Sequence, residues 1–415
     1  MTALTTVPER VALSLLTAQA VRSRAEMMLA AGLREGLAHF RIDLNRMSDV
    51  ADTVLGTIRK TYPSLKIPFH ARWRHFVVDG EDRWARIADC VPWPNPATRA
   101  RAEFDLAIVS VLLDAGAGAA WRYHHGSSGK TIGRSEGLAL ASLDMFANGA
   151  FSSDARDPLR VDADKLADLP AAVLEQGFQL SAKNPLVGLE GRAELLRRLG
   201  RLVAEQSNIF GRYDRPRPGG LFDHICGLGT GGALAAPKIL SELLTRLGPI
   251  WPSRLTLAGT PLGDCWKHPA IKTADATDGL IPLHKLSQWL TYSLIEPLQR
   301  AGVKVADLNG LTGLAEYRNG GLFVDLGVLC LRETSDRLRA HEIDSALVVE
   351  WRALTVALLD RLAEDVRVRL DRTPQSLPLA SLLEGGSWAA GRAVALERRA
   401  DGSPPIKVAS DGTVF

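Results

Sequence analysis

The feature that most constrains this chain is a series of long segments in which apolar residues recur every three to four positions. Residues 98–122, 188–207, 281–300 and 338–370 carry it; Leu189, Leu195, Leu196, Leu199, Leu202 and Val203 are one instance. That period belongs to α-helices with a buried stripe. Strand-like runs are few and short, at 255–257, 321–326 and 406–408. The expected class is therefore mostly α: a helical body with small β-hairpin additions. Residues 8–61 read as two helices, the second capped by Ser48. Residues 133–149 and 237–247 read as one helix each, and 163–181 as two short pieces around Pro170. Arg72-Trp73-Arg74-His75-Phe76 and Glu81-Asp82-Arg83-Trp84 do not look helical. With Asp79-Gly80 between them they suggest a short hairpin.

Length and charge narrow the classes further. The 415 residues are 46% hydrophobic and 23% charged, enough for a sizeable core. Arg215-Pro216-Arg217-Pro218-Gly219-Gly220 is the clearest break. It suggests an N-terminal helical lobe at 1–214 and a C-terminal lobe at 215–415, unless the two form one continuous domain. The net charge of +3 is spread along the chain, which gives no electrostatic case for nucleic acid or lipid. No run approaches the roughly 18 apolar residues of a membrane span. Cys90, Cys226, Cys265 and Cys330 lie far apart and suggest no disulfide framework. With a polar start and no signal-peptide core, the expected setting is the cytoplasm. The last residues, Asp411 to Phe415, read as a docked tail.

Three motif lookalikes are weak on their own chemistry. Gly126-Ser127-Ser128-Gly129-Lys130-Thr131 suggests a phosphate loop, but His124 stands where the first glycine is needed and no strand precedes it. Gly227-Leu228-Gly229-Thr230-Gly231-Gly232 matches a dinucleotide fingerprint only in its glycines. His224, Cys226, Cys265 and His268 have the ligand types for zinc, but the two pairs are loosely spaced. No His-Glu-x-x-His or Gly-x-Ser-x-Gly motif is present. No metal or cofactor is expected.

The sharper constellation comes late. Lys285, Trp289, Tyr292 and Glu296 fall on one face of the 281–300 helix, with Gln288 beside them and a separate Leu286, Leu290, Leu294 stripe. Aromatic and polar side chains on one face suit a small polar ring or sugar. Shortly after comes Leu314-Ala315-Glu316-Tyr317-Arg318-Asn319-Gly320-Gly321, then Phe323-Val324-Asp325. A carboxylate, an aromatic and a guanidinium in a row, followed by glycines, could bring backbone close to a ligand.

Several stretches in order carry a family resemblance: Arg72 to Phe76, Gly133 to Leu138, Asn184 to Arg192, Leu247 to Pro252, and Leu314 to Gly321. Glu384-Gly385-Gly386-Ser387-Trp388 with Gly391-Arg392, and the Asp411 to Phe415 tail, complete them. Together they resemble the uracil-catabolism family of the fourth-component type, which has a fungal uracil-regulated member and many bacterial ones. The resemblance spans nearly the whole chain. It implies a role in pyrimidine breakdown through a ribosylurea-type intermediate. Asp105-Leu106 on a long apolar helix, the 281–300 helix and Ala315 to Arg318 are also similar to queuosine-nucleotide N-glycosylases, which are helical and related in shape to DNA glycosylases. That family has Asp where Glu316 stands here.

These resemblances imply an N-glycoside hydrolase acting on a small ring-opened pyrimidine nucleoside or nucleotide, such as ribosylurea or its phosphate. Glu316 is the expected catalytic carboxylate and Asp325 the second choice. Lys285, Gln288 and Arg318 are the expected polar contacts, Trp289, Tyr292 and Tyr317 the stacking ones. Trp388 and Arg392 are expected to close the site. The alternatives are a metal-dependent amidohydrolase of the same pathway and a non-catalytic scaffold for its enzymes. The oligomeric state is left open.

Overall fold

The computed structural model describes residues 6–114, 116–118, 120–211, 215–251 and 254–409. The expected docked tail at 411–415 lies outside them. The class is mostly α. The strands are short and form seven two-stranded pairs among the described residues, five antiparallel and two parallel. No described helix is long and apolar enough to cross a membrane.

The chain divides into two compact units, and neither is continuous in sequence. One takes in the chain up to His70, Pro252–Gln288 and the residues from Asp307 to the end of the described chain; the other takes in Ala71–Trp251 and Trp289–Ala306. The expected division at 214/215 falls inside the second unit. The reason lies in Asp105, a fully buried carboxylate on the Pro96–Leu112 helix. It accepts from the Arg217 guanidinium at 2.9 and 2.5 Å and from the Gly219 N–H at 2.5 Å. The Pro- and Gly-rich break is thus nailed to the helix by charge-assisted hydrogen bonds.

In the first unit the centre is the Ala346–Leu370 helix, capped by Ser345 and buried all round from Leu347 to Leu359. The Ala18–Leu33, Met47–Thr61 and Tyr317–Asp325 helices pack on it. Trp388–Arg398 packs on Tyr317–Asp325. The strand signal at 321–326 is therefore a helix. A short apolar run cannot by itself be told from buried helix, and the cap at Glu316 decides the matter. Residues 8–61 give three helices rather than two, Val7–Ser14 being separate. Ser48 sits inside the third, not at its cap.

In the second unit Pro96–Leu112 packs on Arg134–Ala147 and Leu221–Cys226, while Leu189–Glu205 packs on Ala163–Ala167. Gly200 permits that last approach: a Cβ there would sit 2.4 Å from the Ala167 amide nitrogen. The hairpin across Asp79-Gly80 forms, Val77–Val78 against Glu81–Asp82. Arg72–Phe76, read as non-helical, is a 3-10 turn. The phosphate-loop lookalike is the tip of a hairpin between Tyr123–His125 and Lys130–Ile132.

The Lys285–Arg300 helix begins in the first unit and continues in the second. Its expected division into a polar wall and an apolar stripe is not observed: residues 287–295 are all buried.

Candidate active site around Glu316

In the first unit Glu316 is the N-cap of the Tyr317–Asp325 helix. Its backbone is extended, and its two carboxylate oxygens accept the N–H groups of Arg318 at 2.7 Å and Asn319 at 2.5 Å. A carboxylate is well placed there, because a helix start presents unpaired N–H groups and the positive end of its dipole. The side chain is only 7% exposed. Burial pushes the Glu316 carboxyl above its ordinary range; the two N–H donors and the charges of Lys285 and His70 oppose the rise without cancelling it.

Each neighbour of Glu316 is held from elsewhere in the same unit. The Lys285 N–H donates to Asp264 Oδ2 at 3.0 Å. Asp264 is gripped by Arg352 through both oxygens and takes the Trp266 indole N–H at 2.6 Å. Arg352 also reaches the carbonyl of Ala315 at 3.3 Å. The residue before the carboxylate and the start of the lysine's helix therefore share one buried ion pair. Gln288 uses both ends of its amide on Thr312, accepting its N–H at 3.0 Å and donating to its hydroxyl.

On the other side lies a π-helical turn, Leu383–Ser387, an element found often at functional sites. Glu384 on it meets His70 Nδ1 at 2.6 Å. The Ser387 hydroxyl donates to the Asn319 side-chain oxygen at 2.8 Å. The Trp388 ring lies 5.7 Å from the His70 ring, and the exposed Arg392 guanidinium lies over Trp388, also at 5.7 Å.

Of the residues singled out from the sequence, the first unit thus assembles Glu316, Lys285, Trp388 and Arg392 on neighbouring elements. Three others are committed to the fold. Asp325 forms a two-pronged ion pair with Arg399 at 2.8 and 2.6 Å. Arg318 lies over the Tyr317 ring at 4.8 Å and donates to the Gly402 carbonyl at 2.7 Å. Gln288 is the clamp just described. Sequence reading missed His70, Asp264 and Arg352, and gave Glu384 and Asn319 no role of their own. Glu384 opened one of the stretches that carried the resemblance, and His70 preceded another. Nothing in the sequence marks Asp264 and Arg352 as partners.

Trp289 and Tyr292 belong to the second unit and are buried there. Trp289 lies under the Arg72 guanidinium at 5.5 Å and beside the His75 ring, also at 5.5 Å. Arg72 is fully buried, donates to Ser110 at 2.7 Å and pairs with Asp114 at 3.1 Å. Burial lowers its pKa against the pull of Asp114.

The zinc-type residues make other bonds. His224 meets Glu242 at 2.8 Å in the second unit, and His268 lies 3.3 Å from Glu350 in the first. Burial pushes the thiols of Cys226 and Cys265 up to about 11 and about 12, which disfavours the thiolate a metal needs. Among the described residues no group of three or more His, Cys, Asp or Glu is arranged to hold a metal ion.

Two relatives match almost end to end. Protein urg3 of Schizosaccharomyces pombe is 40% identical over 412 residues, covering 97% of this chain and 98% of its own. Uracil catabolism protein 4 of Lachancea kluyveri is 38% identical over 411 residues, covering 91% and 92%. The family model described as protein of unknown function (DUF1688) matches residues 14–415. With that reach and those identities, the chain belongs to the DUF1688 family.

Proposed function

We propose that the chain is a hydrolase of pyrimidine breakdown that cleaves the N-glycosidic bond of a ring-opened pyrimidine nucleoside or nucleotide, such as ribosylurea or its phosphate. The pathway is taken from the name of the Lachancea kluyveri relative. The observation that carries the chemistry is the Glu316 carboxylate, buried, fixed on a helix start and flanked by Lys285 and His70.

Breaking a C1′–N bond builds positive charge on the sugar. A carboxylate fixed nearby stabilises that charge and takes the proton of the attacking water. Glu316 has the capacity for both. Each of its oxygens gives one lone pair to the helix and keeps another. Its raised pKa brings it toward the working pH, where a general base is most effective. Lys285 supplies a cation for a carbonyl or phosphate oxygen. Trp388, with Arg392 above it, offers an aromatic face and a second cation.

The test is incubation of the purified protein with ribosylurea, its phosphate and intact pyrimidine nucleosides, following release of urea or base and free sugar. Urea and ribose released by the wild type, and lost in a folded Glu316→Gln variant, support the reading. Undiminished turnover in that variant would sink it.

A further inference from the structure

The proposed hydrolysis needs two proton events, and Glu316 accounts for one. Water loses a proton on attack, and the departing ureide nitrogen, a poor anion, must gain one. The first unit holds a second proton-exchanging group beside Glu316. His70 is only 5% exposed. Its Nδ1 edge lies 2.6 Å from Glu384 Oε2, its ring beside Trp388, and its backbone N–H donates to Ala380 at 2.9 Å. A carboxylate on one ring nitrogen fixes the tautomer and sends proton exchange to the other, Nε2.

The turn that carries Glu384 is built to hold this position. Gly385 and Gly386 sit so close to the Met47–Thr61 helix and the segment after it that a Cβ would lie 2.7 Å from Ile67 and 2.9 Å from Val54. From the same turn, Ser387 bonds Asn319, whose N–H bonds Glu316. The histidine's carboxylate and the catalytic carboxylate are thus registered through one short chain of bonds.

We propose that His70, oriented by Glu384, is the general acid of the Glu316 site. The inference rests on the glycosidase reading for the identity of the reaction. The C1′–N bond breaks with its electron pair staying on nitrogen, and the oxygen of water bonds to C1′. Glu316 takes the proton that water releases, and the His70 imidazolium gives one to the nitrogen. Return of a proton from Glu316 to His70 restores the site. One water is consumed, and sugar and urea leave.

Two measurements test this. The first is nitrogen-15 NMR of the imidazoles in the full chain, with His70 identified by its loss in His70→Gln. The two ring-nitrogen shifts should report a His70 ring whose Nδ1 carries the proton shared with Glu384. In Glu384→Met that tautomer preference should be lost. A ring whose tautomer ignores this change overturns the proposal whatever the substrate. The second compares ribosylurea with nitrophenyl riboside, whose leaving group departs without a proton. His70→Gln should slow the first by about 100-fold or more and the second by less than about 10-fold, while Glu316→Gln slows both. Equal losses in His70→Gln sink the general-acid role and leave the glycosidase reading standing. Wild-type protein inert toward both substrates sinks that reading, and the assignment of His70 with it.

Discussion

Arg352 meets both carboxylate oxygens of Asp264 at 2.8 Å, and both side chains are buried. The pair joins the start of the Lys285–Arg300 helix to the carbonyl just before Glu316. Asp264→Asn or Arg352→Met would leave one partner uncompensated in the interior, at a cost of about 3–5 kcal/mol. A lower Tm and a lower denaturant midpoint should follow. The double variant Asp264→Leu with Arg352→Met should recover part of the loss.

The same pair sets an acid limit. Burial would raise the Asp264 pKa, but Arg352, with the Lys285 N–H, brings it down to about 2 from an ordinary 3.8. A carboxyl whose folded pKa is depressed adds stability that is present above its unfolded pKa and lost as pH falls toward the folded one. The loss should therefore fall between about pH 4 and about pH 2. Denaturant unfolding measured across that window should show a smaller acid loss in Asp264→Asn than in the wild type.

Glu316 has the opposite sign. Its pKa is raised from 4.5 by burial, so the folded state disfavours its charge, and the stability it contributes at low pH is lost as pH rises through the folded value. Glu316→Gln removes that charge and keeps one acceptor for the helix start. Its Tm relative to wild type should improve as pH rises, while turnover falls by about 10²- to 10⁴-fold. Parallel loss of Tm and activity would mark Glu316 as a cap alone.

Asp325 should behave as a structural residue. Asp325→Asn breaks its pairing with Arg399 and should cost about 2 kcal/mol, read as a lower Tm, with kcat on a cleaved substrate nearly unchanged. Arg399→Met should give the same result, and the two effects should not add.

Gly391 sets the spacing between the Trp388–Arg398 and Tyr317–Asp325 helices. A Cβ at this position would lie 2.2 Å from the Arg318 carbonyl oxygen. Gly391→Ala should push the two helices apart, lower Tm by an amount matching about 1–3 kcal/mol or more, and raise KM through displacement of Trp388.

The helical class was legible because apolar periodicity is local: each segment carries its own stripe. The Asp79-Gly80 hairpin was legible for the same reason, since the turn chemistry sits in two adjacent residues. Glu316 stood out through its neighbours Tyr317, Arg318 and Gly320. The readings that failed concerned burial or distant partners. Residues 321–326 passed for a strand because six residues cannot show a helical period. The 281–300 helix was expected to show two distinct faces because sequence does not reveal how many neighbours will cover it.

By itself, then, the sequence determined the helical segments, their breaks and the oddity of the stretch around Glu316, all consequences of short-range geometry. Tertiary structure alone decided that Arg217 would anchor to Asp105 and undo the apparent lobe boundary, and that Asp325 would pair with Arg399. It also decided that His70 and Glu384, 314 positions apart, would meet beside Glu316. Electrostatic pairing and desolvation act through space. Which charges become partners depends on how the helices pack, and that is not written in any one segment.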